Sequence, residues 1–421
     1  MKIIKVKEIL SGEVFFAFFL VAGYFKADPR FIFIQSYFDI TLLFLFLSFF
    51  AFTKRLLNSG FTYKIPKNFV ILSGLFFGMA AVILLGLMYT PSKVHSLDKA
   101  LRFIFITGWA FFGAILLIRN IDSLKRFLST LITIAVFMAI DAALNSYNLK
   151  AGRFVTAFGS NYIALARISG VALLAVISIM LIDAKGKIAK IGLWIVGLLL
   201  LWSLMAAGAR GPIIAFGLSM VIFLLWSIWI IPEIRIERFG LKLGITMAII
   251  SSLIFIFFNK LGINVIAVRF LTLLREEGGG GSALQRWDYY QHAVDLIKTF
   301  PFFGQGTGSF GLSYLGQDIR VYPHNILLEL WAENGIIGVV FFLIMIGYTL
   351  GKTIAKLLII KGREREISKA LLTLGCFMLF NAMLSGDIND NRMLFTFLAL
   401  NGVKISFKKD RNEKYGEDSG I

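Results

Sequence analysis

The residue types best suited to proton transfer and anion binding gather in residues 284–335, around His324, one of three histidines in the chain. It stands in Tyr322-Pro323-His324-Asn325, where proline fixes an extended approach and asparagine suits a helix N-cap. A free imidazole placed so, at a helix start near a polar edge, takes a proton from a hydroxyl near neutral pH. A lone histidine is more often structural, and His95 and His292 keep that reading. The partner chemistry is cationic. Arg210 lies in Met205-Ala-Ala-Gly-Ala-Arg210-Gly-Pro212, where small neighbours leave room for a bulky anion and Pro212 opens a helix whose first amides point the same way. A guanidinium fork suits phosphate. Arg286, Arg153 (in the run from Gly152 to Asn161) and Arg167, about one and a half turns into an apolar run, complete the set. A snorkelling side chain or a local salt bridge is the bland alternative for each.

The elements that must hold these groups are apolar. The chain has 421 residues, 58% hydrophobic and 16% charged, with a mean hydropathy of +0.80. Soluble domains are about 45–50% apolar and about 25% charged, so this composition predicts an all-α polytopic membrane protein. Candidate spans fall near 13–25, 31–53, 69–89, 101–118, 127–146, 160–182, 188–207, 212–231, 241–258, 336–351, 367–386 and 389–403, about twelve in all. The net charge of +18 does not point to nucleic acid, because Lys and Arg sit in short loops between apolar runs. They divide 27 to 15 between alternate sides, which puts both termini in the cytoplasm and residues 259–323 outside. The predicted organisation is nine helices over 1–258, an outer loop over 259–335, three helices over 336–403 and a basic tail over 404–421. No cleavable signal pattern precedes the first run, and the single cysteine, Cys376, lies in an apolar segment.

Within the loop, Gly278 to Gly281 and Ser282 form a link. Leu284, Trp287, Val294 and Ile297 then recur at helical spacing, predicting an amphipathic helix along the membrane surface. Pro301 and glycines 304, 306, 308 and 311 turn the chain. Residues 325–333 predict a helix too short to cross, closed by Asn334-Gly335. Gly306-Thr-Gly-Ser-Phe-Gly311 matches GxGxxG but follows a Phe-Pro-Phe-Phe turn, not a strand, so a tight turn explains it. No Walker lysine, HExxH or CxxC points to ATP or metal. Asp387-Ile-Asn-Asp390 reads as a polar turn between spans, with cation binding the alternative. A transporter is the competing class, but no internal repeat is visible. A passive scaffold has no feature in its favour.

Asn161-Tyr-Ile-Ala164 after Gly152-Arg153, Gly208-Ala-Arg210-Gly211, Arg286-Trp287, Phe300-Pro-Phe-Phe-Gly304-Gln-Gly306 and His324-Asn325 with Leu328, Leu330, Glu333, Gly335 and Gly338 come in an order that resembles the O-antigen ligase family. The resemblance covers roughly 150–340, and Pro301 to Gly338 is its most specific piece. Ala209 departs from the serine that members often carry there. The resemblance implies a GT-C-like all-helical membrane fold and a metal- and ATP-independent, inverting glycosyltransferase without cofactor. Its donor is a polysaccharide on undecaprenyl pyrophosphate, and its acceptor a lipid A core hydroxyl at the periplasmic face of the inner membrane. A polymerase joining two lipid-linked glycans is the alternative within the family. Carried over, His324, Arg210 and Arg286 are catalytic. Arg153, Asn161, Arg167, Tyr322 and Asn325 are candidates for holding pyrophosphate or glycan, with no metal ligands.

Overall fold

The computed structural model describes residues 11–61, 65–146, 154–180, 184, 186–229 and 281–406. The candidate span over 241–258, Arg153, glycines 278–280 and the tail beyond 406 lie outside them. The described residues are almost wholly helical. In chain order they form α1 (Gly12–Val21), α2 (Ile40–Asn58), α3 (Phe69–Gly86), α4 (His95–Leu117), α5 (Ile121–Ser146), α6 (Tyr162–Ala175) and α7 (Lys187–Ala206), then α8 (Arg210–Trp229), α9 (Gly281–Thr299), α10 (Phe310–Leu315), α11 (Ile326–Ile359), α12 (Gly362–Ala382) and α13 (Arg392–Gly402). Eight helices among the described residues are long and apolar enough to cross a membrane. α1, α12 and α13 are further helices that coincide with predicted runs. Together they make an all-α polytopic membrane protein.

The helix boundaries follow from capping. Asp39, Asn161 and Asn325 each accept hydrogen bonds from the first amides of α2, α6 and α11, satisfying donors that the helices cannot satisfy internally. α11 is two helices in sequence: Gly335, at φ 66° and ψ −171°, breaks it after one short segment. The predicted short helix closed by Asn334-Gly335 is therefore present, joined across this kink to a long span.

The centre is built around α13, whose residues from Met393 to Gly402 are all buried. Phe395 meets Phe76 and Phe103 edge-on, while Phe76 stacks on Phe103 and Phe111 at 5.1 Å. Lipid tails are as apolar as these side chains, so hydrogen bonds between helices add specificity. Thr396 donates to the Ala110 carbonyl and Asn401 to that of Leu371.

Contacts sort the loops into two ends. At one, Asn68 meets Lys352 and the Gly402 carbonyl, and Arg126 meets Glu13. At the other, Asp318 binds residues 92–95, Arg30 binds Asp141, and Arg320 binds Asp387. The second set of contacts brings the outer-loop residues before His324 against the turn after α12.

Candidate functional site

The site is assembled at this second end, by three segments that converge on the start of α11. α9 lies against it through Tyr289, Ala293 and Leu296, which pack on Phe310 and Ala332. Of the face anticipated from Leu284, Trp287, Val294 and Ile297, Ile297 packs beside this cluster, while Leu284, Trp287 and Val294 turn outward, Trp287 at 60% exposure. α9 thus carries two apolar stripes, one against the protein and one turned outward.

The glycine-rich turn after α9 serves close approach, not a nucleotide. A Cβ on Gly306 would strike the Thr90 backbone, and one on Gly308 that of Ser96. Thr307 donates to the Ile83 carbonyl and accepts from Asn334, which seats the turn between α3 and α11. Beneath it lies a buried ionic cluster that the sequence reading did not single out. Lys99 of α4 lies 2.5 Å from Glu329 and 2.6 Å from Glu333, one turn apart on α11, and Glu333 also accepts from the Gly308 amide at 2.8 Å. All three are at least 95% buried. Four-residue spacing of acids in an apolar helix was the available signal. The cluster clamps the short segment that carries His324.

His324 itself sits just before the Asn325 cap, with φ 58°, in the left-handed region that β-carbon-bearing residues seldom occupy. Asn325 Oδ1 accepts from the Leu327 and Leu328 amides, so the cap fixes the backbone that aims the imidazole. The ring lies 4.6 Å from Tyr322 and 5.9 Å from Tyr289, between centroids. Its Nδ1 is buried and has no hydrogen-bond partner among the described residues. Among the described residues no carboxylate hydrogen-bonds its ring, unlike the histidine of a hydrolase triad. Burial, then the charges of Arg286 and Arg167, lower its pKa from the ordinary 6.5 to about 4, against a smaller opposing pull from Asp387. The imidazole is neutral at physiological pH and its lone pair is available.

The same fields locate the arginines. Arg286 on α9 and Arg167 on α6 both lie within electrostatic reach of His324. Arg167 is 5% exposed; it donates to the Ser385 carbonyl at 2.6 Å, and its Nε has no partner. Arg210 opens α8, where Gly211 packs against Leu384, the neighbour of Ser385. The turn after α12 therefore links the Arg210 and Arg167 stations. Asn161 is a cap, its side-chain oxygen engaged by the Ala164 amide at 2.7 Å.

The Asp387–Asp390 turn is a polar turn between helices, engaged by the outer loop. Arg320 reaches Asp387 at 2.8 Å and Asp390 at 2.6 Å. Burial opposes the Arg320 charge, but the two carboxylates outweigh it and push its pKa up. Tyr322 donates weakly to Asp390 at 3.5 Å, and burial with the two acids raises its pKa, so it remains a phenol. Both acids are thereby engaged by a cation, while Arg167 and Arg286, whose charges reach His324, have no acid within ion-pair distance among the described residues. Such an arrangement stabilises negative charge beside a neutral base.

Residues 195–343 match the family model described as O-antigen ligase, a stretch that includes Arg210, Arg286 and His324. The match bears out the family resemblance read from the residue stations. No curated protein matches the chain.

Proposed function

With an O-antigen ligase family region as the premise, we propose that this chain transfers a polysaccharide from undecaprenyl pyrophosphate to a sugar hydroxyl of a lipid A core, at the periplasmic face of the bacterial inner membrane. The observation that carries the reading is the half-buried His324 imidazole, held at a positive φ before the Asn325 cap with its Nδ1 unpartnered, and kept neutral by burial and by the charges of Arg286 and Arg167. His324 accepts the proton of the acceptor hydroxyl as its oxygen attacks the anomeric carbon. The bond from that carbon to the pyrophosphate oxygen breaks, and the configuration inverts. Undecaprenyl pyrophosphate departs as an anion, stabilised by Arg210, Arg286 and Arg167.

The division of labour follows from basicity. A histidine with a pKa of about 4 is a weak base, so proton removal comes late, when the new bond has made the hydroxyl acidic. Most of the acceleration then falls on the fixed cations, which act where charge develops, in surroundings of low dielectric. Binding of the anionic donor also offsets the field of the arginines and makes His324 more basic when substrate is in place. Tyr322, Asn325 and Asn161 shape the walls, two of them as helix caps.

The test is the full-length protein reconstituted in lipid with a labelled undecaprenyl-linked glycan, in the presence of EDTA. Label should move to lipid A core and fail to move in the His324→Ala protein. A ladder formed from donor alone would replace the ligase reading by the polymerase one, with the same residue roles. Normal turnover by His324→Ala would remove the mechanism.

A further inference from the structure

An imidazole that accepts a proton needs two things from its surroundings: a fixed ring plane and a setting that tolerates the charge it acquires. In a hydrolase triad one carboxylate supplies both. Nδ1 of His324 has no hydrogen-bond partner among the described residues, and the torsion that turns a histidine ring is broad, so nothing polar fixes the plane through this atom. Two aromatic rings stand beside it instead. The ring of Tyr289 lies 5.9 Å from that of His324 between centroids, with 20° between the planes. The ring of Tyr322 lies 4.6 Å away, tilted by 59°.

Each ring is held by partners that do not depend on His324. Tyr289, on α9, is buried; Phe310 and Tyr314 meet it edge-on at 6.1 and 4.8 Å, and its hydroxyl accepts from Gln285 Nε2 at 3.0 Å. Tyr322 has the guanidinium of Arg320 over its ring, with Cζ 5.4 Å from the centroid, and Arg320 is pinned in turn by Asp387 and Asp390. The acidic turn after α12 thus acts on His324 through Arg320 and Tyr322.

Both distances from His324 fall within the reach of about 6 Å over which an aromatic ring attracts a cation. Such a wall tells the two states of the base apart, because neutral imidazole gains only from stacking, whereas imidazolium gains from stacking and charge. The difference appears as the proton passes from the acceptor hydroxyl to a ring nitrogen. Stabilisation that appears only then raises kcat and leaves substrate affinity alone.

We propose that Tyr289 and Tyr322 are positioning residues, an aromatic clamp that fixes the plane of His324 and shelters the imidazolium, the two tasks that a carboxylate performs in a hydrolase triad. This rests on His324 acting as the base, as proposed above; how the ring is held can be read separately, from the ring itself.

The experiment uses the full-length protein in lipid nanodiscs. NMR follows the carbon-bound protons of the His324 imidazole, which the ring currents of aromatic neighbours displace, and transfer is followed from the labelled undecaprenyl-linked glycan. Tyr289→Leu should move the His324 signal toward its position in free histidine and lower kcat about five- to tenfold, with KM changed by no more than about twofold. Tyr289→Phe keeps the ring and loses only the bond from Gln285, so the signal should stay and most of the turnover should return. Tyr322→Leu and Tyr322→Phe should divide in the same way. Thermal unfolding separates a lost clamp from a lost fold; if Tyr289→Leu is unstable, the Tyr322 pair decides. A folded leucine variant whose His324 signal does not move, whose kcat is intact, or whose loss lies in KM alone overturns the clamp and leaves the donor reading standing. If the intact protein transfers no label, the functional reading falls and takes the sheltering of charge with it, while the ring signals still decide whether the two tyrosines hold the imidazole.

Discussion

Replacing Arg286 by glutamine should raise the pKa of His324, and the rise can be read without any turnover. In the intact protein burial is the chief cause that holds the imidazole at about 4, and the charge of Arg286 comes next, ahead of Arg167. Burial is untouched by the substitution, so less than half of the gap to 6.5 is recovered, about one pH unit. Arg286→Lys keeps the positive charge and should leave the imidazole near its original value. The chain has three histidines, so nitrogen-labelled imidazoles in detergent give a small set of signals, and His95→Gln and His292→Gln identify the other two. The sign for activity follows directly. The base must be neutral, so the acid limb of kcat/KM lies near pH 4 in the intact protein and moves upward in Arg286→Gln. The sign for stability is the same: the folded state takes up its proton later than the unfolded chain, so stability present above about pH 6.5 is lost as pH falls toward 4. A His324 signal that titrates near 6.5 in the intact protein, or one that stays put in Arg286→Gln, refutes a guanidinium facing the imidazole.

Other perturbations test neighbouring parts of the argument. Lys99→Met leaves two buried carboxylates without their cation and should destabilise the fold by about 3–5 kcal/mol in equilibrium unfolding, with partial recovery on adding Glu333→Gln. Gly335→Ala forces a Cβ into the Phe302 carbonyl at a positive φ, so it should lower activity by displacing the His324 segment, and a crosslink between 302 and 336 should lose yield. Arg210→Lys should lose most transfer activity, because an ammonium does not reproduce a bidentate fork on phosphate. Asp318 accepts from the Ser92 hydroxyl and the Lys93 and Val94 amides, which outweigh its burial and hold its pKa at about 2. Asp318→Ala should therefore expose residues 90–95 to hydrogen exchange above pH 4, and the intact protein should match it only as pH falls toward 2.

The apolar runs, the capped start at Asn325 and the break at Gly335 were legible because each rests on local chemistry: hydropathy, a side-chain cap, a residue without Cβ. His324 and Arg286 could be singled out as a type and a spacing. What periodicity does not carry is which charges meet. Arg320 takes up Asp387 and Asp390, which leaves Arg167 with no acid within ion-pair distance among the described residues, and this pairing joins positions 67 and 70 residues apart. Lys99 looked like one more loop cation until Glu329 and Glu333 were placed beside it. α9 had two apolar stripes in its sequence, and only the partner surface decided that Tyr289, Ala293 and Leu296 face inward.

The clamp between Lys99 and α11 has a consequence for how the chain is built. Lys99 and Glu333 are separated by 234 residues, and both sit in apolar segments. During synthesis α4 reaches the bilayer long before α11 exists. Until then its lysine has no counter-ion, and holding such a charge at mid-membrane costs about 2.5–3.5 kcal/mol. Lys99 lies four residues after the start of α4 at His95, so its flexible stem can carry the ammonium to the aqueous boundary in the meantime. The amino-terminal helices therefore remain loosely seated until the carboxylates of α11 arrive and draw them inward. A chain halted before residue 329 leaves Lys99 without either of the carboxylates that hold it in the finished fold.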